Sequence, residues 1–262
     1  MITHRRSVSQ LNTFTKCGEM YRLERTLTPR TPQRPAAWTA VGSAFHVAYE
    51  IYERSGRQFN LDTLFYQHYN EEIEKLQAQQ PDQKWWFKTP NVKTVDRDIE
   101  LRLEHGVKQA VAYQHHCEDS EWEILRLPDG RLALELEFTL AFGDVSVLGY
   151  IDKVEHWPTQ DVATDIKTGA KGNVSNRQLG LYGLALRELY GVDIHWGQYW
   201  YTKLGYGGGY ESLNRYTRDY LHDQYTKLDF SINNNLFLAN PGSQCGLCSV
   251  KPWCREMGAT PR

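Results

Sequence analysis

The sequence predicts an α/β (α+β) fold, a mixed central sheet with an antiparallel meander, flanked by helices. Three observations carry this. The first 120 residues are helical in period, residues 131–168 alternate apolar and polar, and a helical stretch then precedes one more strand. Helices gathered first and short strands afterwards place a helical layer against a sheet.

Residues 7–25 read as one helix, with Ser7 or Ser9 as N-cap and Leu11, Phe14 and Tyr21 among its apolar positions. The prolines of residues 26–35 break it and leave Arg30 and Arg34 in an exposed connection. Further helices are expected over about 40–55, closing at Gly56, over 61–80 and over 94–118, with Trp85, Trp86 and Phe87 between the last two. Together they would form a helical lobe over about 40–120. From Arg131 the period changes. Leu132, Leu134, Leu136, Phe138, Leu140 and Phe142 share one face of a strand, and Glu135 and Glu137 take the other. The Gly143-Asp144 turn leads to a strand over 145–156, and Pro158-Thr-Gln-Asp161 leads to a third over 161–168. Connections this short make the three antiparallel. A helix over 175–190 stops at Gly191, and an aromatic strand follows from Ile194 to Leu204. Gly205-Tyr-Gly-Gly-Gly-Tyr210 is a flexible turn. It is not a dinucleotide loop, because no helix start follows in the needed register. A last helix covers about 216–235.

Composition narrows the class. The chain has 262 residues, 40% hydrophobic and 24% charged, with a net charge of −2, as expected of a globular protein. A uniformly basic coat is excluded, so any nucleic acid contact must come from a local patch. No apolar run approaches the roughly 20 residues that span a bilayer, and residues 1–6 lack the apolar core of a signal peptide. No membrane association is expected, and cysteines placed for metal suit a reducing, cytoplasmic setting.

Four of the five cysteines are placed for a metal centre. Cys245, Cys248 and Cys254 form a C-x2-C-x5-C run. Three thiolates this close need a fourth ligand, and Cys17 is the candidate, tying the two chain ends together. Zinc sites more often use two short C-x-x-C pairs. A distant cysteine plus a compact triple suits the larger [4Fe–4S] cluster better, with zinc or unrelated thiols as alternatives. Cys117 reads as a lone thiol on a helix.

The meander holds a second constellation. Asp165 and Lys167 are two apart, so a strand points both to one face. An antiparallel neighbour can set Asp152 beside Asp165. Two such carboxylates repel unless a cation lies between them, and oxygen ligation suits Mg2+ or Mn2+. A lysine there can steer an attacking water and offset charge on a pentacovalent phosphate. Asp-x-Lys alone usually marks a solvated strand face, so its company matters. It includes Gly149-Tyr-Ile-Asp152, Asp165-Ile-Lys167, Gln178-Leu-Gly-Leu-Tyr182 and, earlier, Gly42-Ser-Ala-Phe-His46.

In this order, bracketed by the cysteines, the motifs resemble the PD-(D/E)XK nuclease superfamily. The likeness is to its RecB-like branch, which includes the stand-alone CRISPR-associated (Cas-four type) iron–sulfur exonucleases. Asp165 stands where many relatives have Glu. The resemblance implies one RecB-like nuclease domain over 1–262, with a restriction-endonuclease-like core at about 130–204 and an iron–sulfur module built from Cys17 and residues 245–254. It implies that Asp152 and Asp165 bind the catalytic metal, with the Ile166 carbonyl as a further ligand. Lys167 would act on water and transition state. His46 would add a nitrogen ligand, which favours Mn2+ over Mg2+, and its alternative is a histidine packed under the sheet. Gln178 and Tyr182, four apart on one helical face, would hold Lys167 or a DNA phosphate, or else form a polar seam. Glu137 resembles an additional acid of some relatives, against the reading of an outward-facing charge. Glu135 is the weaker candidate.

For DNA contact the candidates are Arg5, Arg6, Arg30 and Arg34, which would neutralise phosphates, and Trp85, Trp86 and Phe87, which would stack on unpaired bases. Ordinary surface charge and a small aromatic core are the competing readings. The expected activity is metal-dependent exonucleolytic hydrolysis of DNA, on single strands or ends, in recombination, repair or phage or CRISPR DNA processing. The chain has no G-x-x-x-x-G-K-[ST] loop, so a separate helicase or recombination protein is the expected partner, and an oligomer is compatible with the sequence. The rival readings are a non-cleaving module that holds DNA ends and a redox-sensing iron–sulfur protein.

Overall fold

The computed structural model describes residues 4–28, 30–169 and 175–259. The expected first helix is two. Ser7 accepts the Gln10 N–H at the start of α1 (Val8–Lys16), and at Cys17 the backbone is extended, with φ −166°. Cys17 Sγ then accepts the Met20 N–H and caps α2 (Gly18–Arg25). The residue read as mid-helix is therefore the joint between two short helices.

Contacts divide the chain into two compact units, Met1–Pro35 with Phe138–Gly149 and Arg218–Arg262, and Ala36–Glu137 with Tyr150–Thr217. The strands β3 (Leu134–Phe142) and β4 (Val145–His156) contribute residues to both; a short β2 (Glu123–Ile124) precedes them and pairs with β4. In the first unit, β1 (His4–Ser7) runs parallel to Val145–Leu148 of β4. It is anchored to α7 (Arg218–Asn233), since Asp229 accepts from His4 at 2.9 Å and from Arg6 Nε at 2.9 Å. Phe142 stacks on Tyr225 of the same helix. Gly149 explains itself here. A Cβ at that position would lie 2.4 Å from Phe138 Cζ, so only glycine lets the phenyl ring cross β4.

The second unit begins with α3 (Ala37–Arg54), α4 (Leu61–Gln79) and α5 (Val95–Asp119), close to the expected ranges. Their apolar stripes bury Phe45, Tyr49, Phe65, Tyr69 and Tyr113 in one core. Then come β5 (Asp161–Lys167), α6 (Arg177–Tyr190) and β6 (Trp196–Tyr201). β4 and β5 are antiparallel, as expected, and α6 is the crossover that makes β5 and β6 parallel. The Gly-rich turn supplies two short edge strands on β6, β7 (Tyr206–Gly207) and β8 (Glu211–Ser212). Lys153 faces the helical core opposite to Asp152. It is fully buried, 2.7 Å from Glu155 and 2.9 Å from the Tyr113 hydroxyl, so its charge is paired and hydrogen-bonded. Among the described residues no helix is long and apolar enough to cross a membrane.

Candidate active site

The site lies wholly in the second unit and is made by register. Lys153 pairs with Thr164 across β4 and β5, and their neighbours Asp152 and Asp165 come together at one hydroxyl. Tyr182 of α6 joins them. Its hydroxyl lies 3.3 Å from Asp152 Oδ1 and donates to Asp165 Oδ1 at 2.9 Å. Lys167 Nζ sits 2.7 Å from Asp165 Oδ2 and donates to Gln178 Oε1 at 3.1 Å, while Gln178 Nε2 donates to Tyr182 at 3.0 Å. The i, i+4 spacing on α6 thus holds the lysine and both carboxylates in one chain of hydrogen bonds. Ile166 contributes its N–H, which donates to Asp152 Oδ2 at 2.7 Å.

On the other side, α3 delivers His46. Its Nδ1 is 3.3 Å from Glu135 Oε1 and 3.9 Å from Asp152 Oδ2. His46, Glu135 and Asp152 each bring a ligand atom within 4.8 Å of the others. Glu135 reaches this position through a left-handed backbone, φ 47°. That conformation turns two successive residues toward α3: Leu134 enters the helical core, and Glu135 meets His46 and the Tyr49 hydroxyl. Tyr49 also lies 2.9 Å from the Asp152 carbonyl. Glu137, the acid preferred from the sequence, is instead exposed and accepts from Tyr150 at 2.7 Å. Alternation gave the two glutamates equal standing, and no sequence signal marks the backbone reversal at Glu135.

Electrostatics fit a cation. Burial and the neighbouring Asp165 push the Asp152 carboxyl up to about 7. Burial alone would lower His46, but Asp152, Glu135 and Asp165 raise it to about 9. Burial, with Asp152 and Asp165, also drives the Tyr182 phenol well above its ordinary value, so it stays a donor. Crowded carboxylates that hold protons lack positive charge. Oxygen donors with one imidazole suit a hard divalent ion. His46, Glu135 and Asp152 would hold it.

The other sequence candidates fall elsewhere. Trp86 is 3% exposed and Phe87 8%, packed beside Trp38, and the Trp86 indole donates to the Gln80 carbonyl at 2.8 Å. They form the small aromatic core, not a stacking surface; Trp85 is half-buried. Arg30 is exposed and Arg34 half-buried, and Arg6 is engaged with Asp229. Cys17, Cys245, Cys248 and Cys254 all belong to the first unit and are half-buried, whereas Cys117 is buried in the second. Asn240 N–H donates to Cys17 Sγ, as Gly242 N–H does to Cys245 Sγ, each at 3.4 Å. Among the described residues no three cysteine sulfurs lie within 4.8 Å of one another. Burial raises the Cys248 thiol, and Cys245 and Cys254 add to this.

Comparison with known proteins finds relatives along nearly the whole chain. The chain is 32% identical over 264 residues to the Gene 69 protein of Mycobacterium phage D29, covering 95% of this chain and 96% of that one. It is 29% identical over 281 residues to the Gene 69 protein of Mycobacterium phage L5, covering 95% of each. Neither name states an activity. Residues 5–255, which include every element of the site, match the family described as the PD-(D/E)XK nuclease superfamily. Nucleases of this superfamily use divalent metals such as Mg2+ or Mn2+, and this chain belongs to it.

Proposed function

We propose that the protein is a metal-dependent DNA exonuclease of the RecB-like branch, acting on single strands or DNA ends. The observation that carries this is Lys167, held by Asp165 and Gln178 beside the His46–Glu135–Asp152 group. When bound, a divalent cation there polarises the scissile phosphate and favours ionisation of a nearby water. The chain's own residues do the rest. Asp152 is fixed by the Ile166 N–H, and Tyr182 and Gln178 hold Asp165 and Lys167 in register. The Lys167 ammonium orients the attacking water and offsets charge that develops on the phosphoryl oxygens. The imidazole of His46 inclines the site toward Mn2+.

The restriction to single strands or ends, and dependence on a separate helicase or recombination protein, rest on the missing nucleotide-binding loop and on the likeness to RecB-like enzymes. A [4Fe–4S] cluster on Cys17, Cys245, Cys248 and Cys254 is part of the same reading. It is supported by their shared unit and by backbone N–H groups aimed at two of the sulfurs. A single tetrahedral zinc, with Zn–S bonds of about 2.3 Å, would need sulfurs roughly 3.8 Å apart, while the corners of a cluster stand farther apart.

The test is digestion of end-labelled single-stranded, double-stranded and circular DNA with Mn2+ or Mg2+. Linear DNA should be degraded from an end and circles should resist. Lys167→Ala should keep metal binding and lose cleavage by at least about a hundredfold. Cleavage by that variant at the parent rate would overturn the site, cutting of circles would overturn the exonuclease reading, and binding without cutting would leave a DNA-end-holding module.

A further inference from the structure

Resting on the nuclease reading above, we propose that Tyr206 is a stacking site for an unpaired base of the strand that leaves the active site. Lys167 pairs with Tyr201 across β5 and β6, and Tyr201 pairs with Tyr206 across β6 and β7. Directly paired residues point to the same face of a sheet, so the three form one row on the face that carries Asp165. Two steps at about 4.8 Å each put Tyr206 about 10 Å from the lysine's strand. A stacked strand at about 3.4 Å per nucleotide covers that distance in about three nucleotides, and an extended one in fewer.

The row changes character as it leaves the site. Tyr199 and Tyr201 are 5% and 4% exposed, with Lys167 Nζ 5.3 Å from the Tyr199 ring centroid. Tyr206, at the sheet edge, is 51% exposed. The surrounding glycines keep this face clear. A Cβ on Gly208 would lie 2.9 Å from Tyr201 Cε2, so the Tyr201 ring lies across a position that no larger residue could occupy. An exposed tyrosine by itself means little. One aligned with the catalytic lysine, on a floor of tyrosine and glycine, offers an aromatic face within about three nucleotides of the site. In a duplex the bases are already stacked, so the contact is specific to unpaired nucleotides.

The test reads binding by fluorescence anisotropy, with Ca2+ in place of Mg2+ or Mn2+, on a labelled single-stranded oligonucleotide and its duplex. Tyr206→Ala should weaken single-strand binding about five- to a hundredfold and leave duplex binding within twofold. Tyr206→Phe and Tyr206→Trp should bind as the parent does. Removing the base at one of the three terminal nucleotides should abolish the difference between parent and Tyr206→Ala. Parent-like binding by Tyr206→Ala, or equal losses on single strand and duplex, would overturn the inference. If the parent binds the single strand but never cuts it, the nuclease reading falls while the stacking contact can still be read. If the parent binds no single strand, both fall.

Discussion

At the scale of single residues, the left-handed backbone of Glu135 decides which acid joins the site. Such a conformation costs about 1–3 kcal/mol at a residue that is not glycine, and the Tyr49 hydroxyl and His46 hold the side chain where it falls. Protons and metal compete for this group. Asp152, pushed up to about 7, and His46, raised to about 9, are both protonated at pH 6 and must lose those protons to bind a cation. Calorimetric titration should therefore show Mn2+ affinity rising by at least about tenfold between pH 6 and pH 8. A flat profile would place the metal elsewhere. Glu135→Gln removes one ligand and one of the charges that raise His46. It should weaken Mn2+ binding about tenfold or more and shift the profile to lower pH; unchanged affinity would make Glu135 a bystander. Alternation placed Asp165 and Lys167 on one face and i, i+4 spacing placed Gln178 beside Tyr182, as the structure has them, whereas His46 was named only through the motif resemblance. Glu135 was ranked below Glu137, since alternation puts both on one face and does not announce the left-handed backbone at Glu135.

At the scale of elements, the long periodic segments were legible and the short ones were not. Helices α3 to α6 and strands β3 to β6 fall near their expected ranges because each carries enough apolar positions to state its period. β1, β2 and β8 are strands only by virtue of their partners, and four residues or fewer cannot announce a period. The joint at Cys17 was missed because the apolar spacing continues through it. Gly149 belongs to the motif that leads to Asp152, but its own reason is packing under Phe138. Gly149→Val should thus destabilise the protein by about 1–3 kcal/mol through overpacking, a drop of roughly 2–4 °C in Tm per kcal/mol for a protein of this size. Shrinking the ring with Phe138→Ala should make the pair of substitutions markedly non-additive in thermal unfolding. Additive losses would mean the ring and the glycine do not share space.

At the scale of the whole molecule, the four cysteines and the carboxylate–lysine site occupy different units. If the four cysteines hold the proposed cluster, Cys17→Ser should lower iron and labile sulfide, and with them the yield of folded protein, while activity per folded molecule stays near the parent value. The measurement is iron, sulfide and zinc on anaerobic protein, alongside turnover normalised to folded fraction. One zinc per chain without sulfide would replace the cluster with a zinc staple. The first unit also has a consequence during synthesis. Its opening segment ends at Pro35, yet the helix that holds β1 starts at Arg218, 218 − 35 = 183 positions later. At about 5–20 residues per second the ribosome needs roughly 10–40 s to cover that gap. Throughout it, Tyr21 lacks the Phe237 ring it stacks on, and His4 and Arg6 lack Asp229, although β4 is made part-way through and can already pair with β1. This segment is made well before the helix that completes its packing.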